Sequence, residues 1–161
     1  MKILTLCLVF LYTTTFELDA IRQSYIDAAQ SEKSADNFHK TFEDIPDTHA
    51  DQTVLAYKAA SIVLLAKYES GLITKTRLFN RGTDLLEAVI KKAPNNYEAR
   101  LIRLNIQDNV PWITGYTSEI KEDKAFLIKN YLRQDEALKA FAKKYIMQSD
   151  AFTDKEKAQF K

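Results

Sequence analysis

The chain has 161 residues, of which 46% are hydrophobic and 28% are charged, as in an ordinary one-domain globular protein. Its 23 basic and 22 acidic residues leave a net charge of +1, so the whole chain supplies no strong field for holding nucleic acid or an anionic membrane. Three Gly and three Pro are too few for the many tight turns of an all-β fold, whereas the abundant Ala, Leu, Lys, Glu and Gln favour helix. We therefore expect an all-α protein.

The N-terminal segment MKILTLCLVFLYTTT has the layout of a secretory signal peptide. One positive residue, Lys2, precedes an apolar run over residues 3–12, and small Thr residues follow. The run is about ten residues long, whereas a membrane span needs about twenty. We predict a signal peptide over residues 1–16, a mature start between Phe16 and Asp19, and no membrane span in the mature chain. The alternative is a buried N-terminal helix.

We predict that the mature chain is one helical domain over residues 17–161, located in the periplasm or outside the cell. Export also limits the chemistry that the mature chain can carry. The only cysteine, Cys7, lies inside the predicted signal peptide. The mature domain would then hold no disulfide, no thiol nucleophile and no thiolate metal site, and would depend on its hydrophobic core for stability.

Apolar residues recur at helical spacing from the start of the mature chain. We predict one or two helices over residues 18–42, with a break near Ser31, ending before Pro46. The segment TVLAYKAASIVLLAKY (53–68) is apolar nearly all round, which is typical of a central, buried helix. Asp47 or Thr48 is its predicted N-cap, and Gly71 its predicted stop.

The next predicted helix covers residues 75–93 and has one apolar stripe. Gly82 lies within it, and because Gly in a helix interior costs roughly 1 kcal/mol against Ala, we expect it to allow close approach of a neighbouring helix. Pro94 ends this helix, and Asn95 or Asn96 caps the following one, over residues 97–108.

An irregular link around Pro111 and Gly115 leads to the C-terminal helices. Ser118 is the predicted N-cap of a helix whose apolar residues, including Leu132, face inward. A further helix covers residues 135–148, and TDKE (153–156) matches the capping box that opens a short terminal helix. The total is about seven helices.

The segment DLLEAVIKKAPNNYEARLIRL (84–104) resembles the junction between two tetratricopeptide repeats. Gly82, Leu86, Val89 and Pro94 occupy the positions where that family places a small, a large, a small residue and a Pro along its second helix. The chain is also similar to a class of small exported helical proteins of Gram-negative bacteria. The resemblance implies an irregular bundle with tetratricopeptide-like hairpins and no particular activity.

One candidate binding site is a polar stripe on the helix that follows Pro94. Arg100, Arg103 and Gln107 are spaced i, i+3, i+7 and share one helix face. Helical-hairpin proteins bind ligands along the inner face of such helices, where two Arg and a Gln could clamp a peptide carboxylate or another anion. The alternative is a solvated face, paired with Glu98 or Asp123. Because apolar neighbours already hold the helix, we expect no structural task for the stripe.

The second candidate is the segment PWITGY (111–116), which contains the only tryptophan, Trp112, and Tyr116. Aromatic residues in a constrained link can form a recognition patch. The alternative is that they close the core beneath a loop.

No motif for catalysis, nucleotide binding or metal binding is present in the sequence. His39 and His49 lack metal-ligand spacing. We expect a non-catalytic binding or scaffold module without a cofactor, whose partner is a protein or peptide of the cell envelope. The alternative is a carrier that holds a small molecule or lipid in an apolar cavity between helices.

Overall fold

The computed structural model describes residues 17–160, so the predicted signal peptide lies outside the described residues. This part of the chain is all-α and contains no β-strand, which confirms the predicted fold class. Its eight α-helices, numbered α1 to α8 in chain order, are Leu18–Ala28, Glu32–Lys40, Gln52–Tyr68, Leu72–Lys92, Tyr97–Asn109, Ile120–Asn130, Glu136–Gln148 and Asp154–Lys157. Three short 3-10 helices are Trp112–Thr114, Tyr131–Arg133 and Ala158–Phe160.

Helix α3 is the apolar helix that the sequence predicts to be central, and most of its residues are buried. Its N-cap is Asp51, whose carboxylate accepts hydrogen bonds from the backbone N–H groups of Thr53 and Val54. The predicted caps at Asp47 and Thr48 are therefore wrong, because the chain makes a further turn before the helix begins. Gly71 is the N-cap residue of α4 rather than the stop of α3.

Helix α4 packs along α3 more extensively than any other pair of helices within residues 17–160. Gly82 lies at this contact and is buried. A β-carbon at Gly82 would lie 2.6 Å from Val63 Cγ2 and 2.8 Å from the carbonyl oxygen of Ala59. The predicted close approach is thus confirmed, and the absence of a side chain at Gly82 is what permits it.

Helix α5 lies between two hydrophobic clusters and contributes to both. The first cluster is built by α1 to α4 and takes Ala99, Ile102 and Ile106 from α5. The second is built by α6, α7 and the C-terminal segment, and takes Tyr97, Leu101 and Leu104. Because both sides of α5 are covered, four of its polar residues are also buried: Glu98, Arg100, Arg103 and Gln107.

At the helix ends, the structure agrees with some of the predicted features and disagrees with others. Ser31 caps α2, Asn96 caps α5, and Thr153 forms the expected capping box with Glu156. Ser118 does not cap α6, which begins after Glu119 without a side-chain cap. Leu132 was predicted to face inward, but its side chain is exposed, because the chain turns into a 3-10 helix after Asn130.

Replacing Gly82 by Ala should destabilise the protein. Overpacking a tight contact costs about 1–3 kcal/mol, and the roughly 1 kcal/mol gained in helix propensity offsets it only in part, because the carbonyl of Ala59 belongs to a rigid helix. Gly82→Leu should cost more. Thermal unfolding followed by circular dichroism measures both effects.

Asn80 on the same helix is exposed and supplies the control, since Asn80→Ala gains helix propensity without adding atoms to a packed contact. We expect Asn80→Ala to leave the melting temperature unchanged or slightly higher. A Gly82→Ala variant that melted above the wild type would show that α3 and α4 can separate without loss.

Candidate functional site

The turn between α4 and α5 is fixed by side chains on both of its sides. The side-chain carbonyl of Asn96 accepts a hydrogen bond from the backbone N–H of Ala99 at 2.9 Å, and its amide donates to Thr53 Oγ1 at 2.9 Å. The Nε of Arg100 donates to the carbonyl of Pro94 at 2.7 Å. These bonds fix the direction in which α5 leaves the turn, and therefore where its charged residues lie.

Two of the predicted stripe residues, Arg100 and Arg103, form an ion cluster with Asp123 of α6. Asp123 is completely buried, and its Oδ1 accepts from Arg100 Nη1 and from Arg103 Nη2, both at 2.8 Å. Its Oδ2 accepts from Arg103 Nε at 2.7 Å. This bidentate arrangement, in which one carboxylate joins two guanidinium groups, fixes α6 against α5.

The cluster extends to the link and to α4 through Glu87. This carboxylate accepts from Arg103 Nη1 at 2.7 Å and from the hydroxyl of Tyr116 at 2.5 Å. Glu122 adds a partly exposed ion pair with Arg100 at 2.8 Å. One network therefore connects α4, α5, the link and α6.

The network favours one protonation state for two of its members. Burial opposes the charge of Arg103, but the hydrogen bonds and charge of Asp123 outweigh it and raise the pKa of Arg103. Burial and the hydrogen bond to Glu87 also raise the pKa of Tyr116 far above its usual value. Tyr116 thus stays protonated near neutral pH and donates its hydrogen bond to Glu87.

The expectation that the stripe has no structural task is wrong. Arg100 is 9% exposed, Arg103 4% and Gln107 2%, and the amide of Gln107 donates to Glu119 Oε2 at 2.7 Å. The pairing with Asp123 that the sequence offered as an alternative is confirmed, but in a buried network and not on a solvated face. These side chains are buried and bond within the fold, and Gln107 Oε1 is the one buried side-chain polar atom of the described residues that lacks a hydrogen-bond partner.

The remaining polar residues of α5 join it to α1, α3 and α7. Glu98 accepts from Arg22 at 2.7 and 3.0 Å and from the hydroxyl of Tyr57 at 2.5 Å. At the other end, Asp108 accepts from Tyr145 at 3.0 Å and from Ser149 at 2.6 Å. Neither set has the exposure or open space of a ligand site.

The link after α5 places its aromatic residues in opposite environments. Trp112 is 84% exposed and the adjacent Ile113 is 78% exposed. Tyr116 turns inward and packs edge-on against Phe79, with ring centres 5.9 Å apart. Gly115 makes this reversal possible, because its φ of 69° lies in the left-handed region that Gly adopts readily.

Trp112 and Ile113 form what we call the link patch, and Tyr116 anchors it. Of the two predicted aromatic residues, only Trp112 is available to a partner. Ile113 was not among the predicted site residues, although it lies beside Trp112 in the constrained link. Glu87 was not among them either, because its partners lie 16 and 29 residues away in sequence.

Other kinds of site have little support within residues 17–160. This part of the chain gathers no group of three or more His, Cys, Asp or Glu side chains that could hold a metal ion. None of its helices is both long and apolar enough to cross a membrane. His39 contacts Ser61 Oγ at 3.0 Å, and burial lowers its pKa, as expected for a partly packed histidine between two helices.

In comparisons with known proteins, no family model, curated protein or solved structure matches the chain. The resemblance to tetratricopeptide hairpins and to small exported helical proteins therefore stays a prediction from the sequence.

Removing the carboxylate of Asp123 should destabilise the protein strongly. Asp123→Ala leaves two buried guanidinium groups without their shared partner, and breaking a buried ion pair in this way costs about 3–5 kcal/mol. Chemical denaturation measures the loss.

The neighbouring residue Glu122 is the matched control, because it also pairs with Arg100 but its side chain is 65% exposed. Glu122→Ala should cost less than about 1 kcal/mol, as is usual for a solvent-screened pair. Equal losses for the two variants would contradict the structural role assigned to the buried network.

Proposed function

We propose that the protein is an exported binding or scaffold module without catalytic activity, and that it recognises a protein or peptide of the cell envelope through the link patch. The observation that carries the proposal is the exposure of the consecutive residues Trp112 and Ile113. They lie on a link whose other end is held in place by the contacts of Tyr116 with Phe79 and Glu87. The predicted signal peptide supports the envelope location of the partner.

The chemistry of the link patch suits protein recognition. Trp is the residue most enriched among those that dominate binding energy at interfaces, and it offers a large rigid surface with few rotatable bonds. The neighbouring Ile113 enlarges the apolar area. Burying such side chains against a partner stabilises a complex by about 1.5–3 kcal/mol for each aliphatic residue.

Anchoring of the link lowers the conformational entropy that is lost when a partner binds. Gly115 sets the reversal, and Tyr116 fixes the chain to Phe79 and Glu87. A link held in this way loses little conformational freedom when a partner binds, and this loss is one of the main costs of association.

The alternative function, a carrier of a small molecule or lipid, needs an enclosed apolar cavity between helices. Two depressions of the described surface bear on this role. One lies on the face of α4, is lined by residues of that helix alone and is open to solvent. The other is also open on one side and is bordered by the acidic residues Glu32, Asp36 and Glu69. Neither is an enclosed apolar cavity, so the geometry favours the binding module.

The proposal predicts that the link patch is needed to hold a partner. Immobilised wild-type protein should retain a specific protein from a cell-envelope extract, and Trp112→Ala with Ile113→Ala should lose it without a change in melting temperature. A peptide of the retained protein should also shift the fluorescence of Trp112, the only tryptophan, to shorter wavelength as the indole leaves water.

Leu132 provides a matched control, since it is 82% exposed on another element. Leu132→Ala should retain the partner as the wild type does. If the double variant of the link patch retained the same partner with equal affinity, the link patch would not be the recognition site.

A further inference from the structure

The side-chain amide of Gln107 is hydrogen-bonded on one of its two sides only. Gln107 is 2% exposed, and its Nε2 donates to Glu119 Oε2 at 2.7 Å. Its Oε1 is the one buried side-chain polar atom within residues 17–160 that has no hydrogen-bond partner. Buried polar atoms in folded proteins are nearly always paired, because an unpaired one has lost its hydration without compensation. A donor for Gln107 Oε1 is therefore expected, and no group of the described chain supplies it.

The carboxylate of Glu119, the residue before α6, lies beside this amide and accepts hydrogen bonds. It already accepts from the hydroxyl of Ser118 at 2.7 Å and from Gln107. Partial burial opposes the charge of Glu119, but these hydrogen bonds and the charge of Arg103 outweigh it and lower the pKa of Glu119. An ionised carboxylate can only accept. A group that fits between it and Gln107 Oε1 must therefore donate two hydrogens.

The distance between these two acceptors suits a single water molecule. Oε1 and Nε2 of Gln107 are bonded to the same carbon, so Glu119 Oε2, which is 2.7 Å from Nε2, lies within about 5 Å of Oε1. Two hydrogen bonds of about 2.8 Å that meet at one oxygen span such a gap. The carboxylate can take a further bond, since it has about four lone-pair sites. Because Gln107 Oε1 is buried, a donor as small as water is favoured over a larger ligand.

We propose that a buried water molecule bridges Gln107 and Glu119, donating one hydrogen to Gln107 Oε1 and the other to the carboxylate. It joins α5 to the end of the link that meets α6, beside the direct hydrogen bond from Nε2. A buried water with several polar partners is part of the structure and is costly to remove. The water therefore adds an anchor to the link. The inference concerns the interior of the fold and does not depend on the proposed function.

A high-resolution crystal structure of the wild type tests the proposal directly. It should show a water oxygen about 2.8 Å from Gln107 Oε1 and from one carboxylate oxygen of Glu119. The proposal would be overturned if no water lay within hydrogen-bond distance of Gln107 Oε1. A protein donor at that place, for example from outside residues 17–160, would overturn it as well.

Magnetic relaxation dispersion of the water oxygen nuclei tests it in solution, because this method counts long-lived internal waters. Gln107→Met replaces the amide by a thioether of similar size and should lose one long-lived water relative to the wild type. Gln148→Met is the control, since Gln148 is exposed, and it should leave the count unchanged. Equal counts for the wild type and Gln107→Met would contradict the bridging water. Should Gln107→Met fail to fold, the wild-type crystal structure decides by itself.

Discussion

The shared carboxylate of Asp123 is the contact on which the arrangement around α5 depends. Two guanidinium groups of one helix meet one carboxylate of the next, out of reach of water. Charges in such a place are costly unless every one is paired. The positions of α4, the link and α6 are consequently tied to one another, since α4 and α6 supply the carboxylates that the arginines require and the link supplies the Tyr116 hydroxyl that binds Glu87. Glu98 imposes the same kind of constraint on α1 and α3 from the other side of α5.

This constraint separates the residues that build the protein from those that remain free to act. The buried polar side chains of α5 connect the two hydrophobic clusters through bonds within the fold. The large apolar side chains that stay exposed among the described residues lie at helix ends and in links. Among them, Trp112 and Ile113 lie on a link that Tyr116 anchors. A rigid interior thereby supports the proposed link patch.

Sequence periodicity was sufficient to predict the longer helices, because their apolar residues recur over several turns. Ser31, Asn96 and Thr153 also mark where α2, α5 and α8 begin. Gly82 was also identified correctly, since a helix interior seldom holds Gly without a packing reason. The burial of Arg100 and Arg103 could not be predicted in the same way. A spacing of i, i+3 shows that two residues share a face but not what covers that face, and Asp123 lies twenty or more residues later. Likewise, Trp112 and Tyr116 are near neighbours in sequence, and only the turn at Gly115 sends them in opposite directions.

We infer that α5, through its contacts with both, joins the two hydrophobic clusters into one cooperative unit. Native-state hydrogen exchange at increasing denaturant tests this by comparing the amide of Ala60 in α3 with that of Ile146 in α7, both of which are buried residues. Both amides should exchange only through global unfolding, with one common free energy. If the α7 amide instead exchanged at a clearly lower free energy while α3 stayed protected, the second cluster would open without breaking the contacts made by α5, and the two clusters would not be one unit.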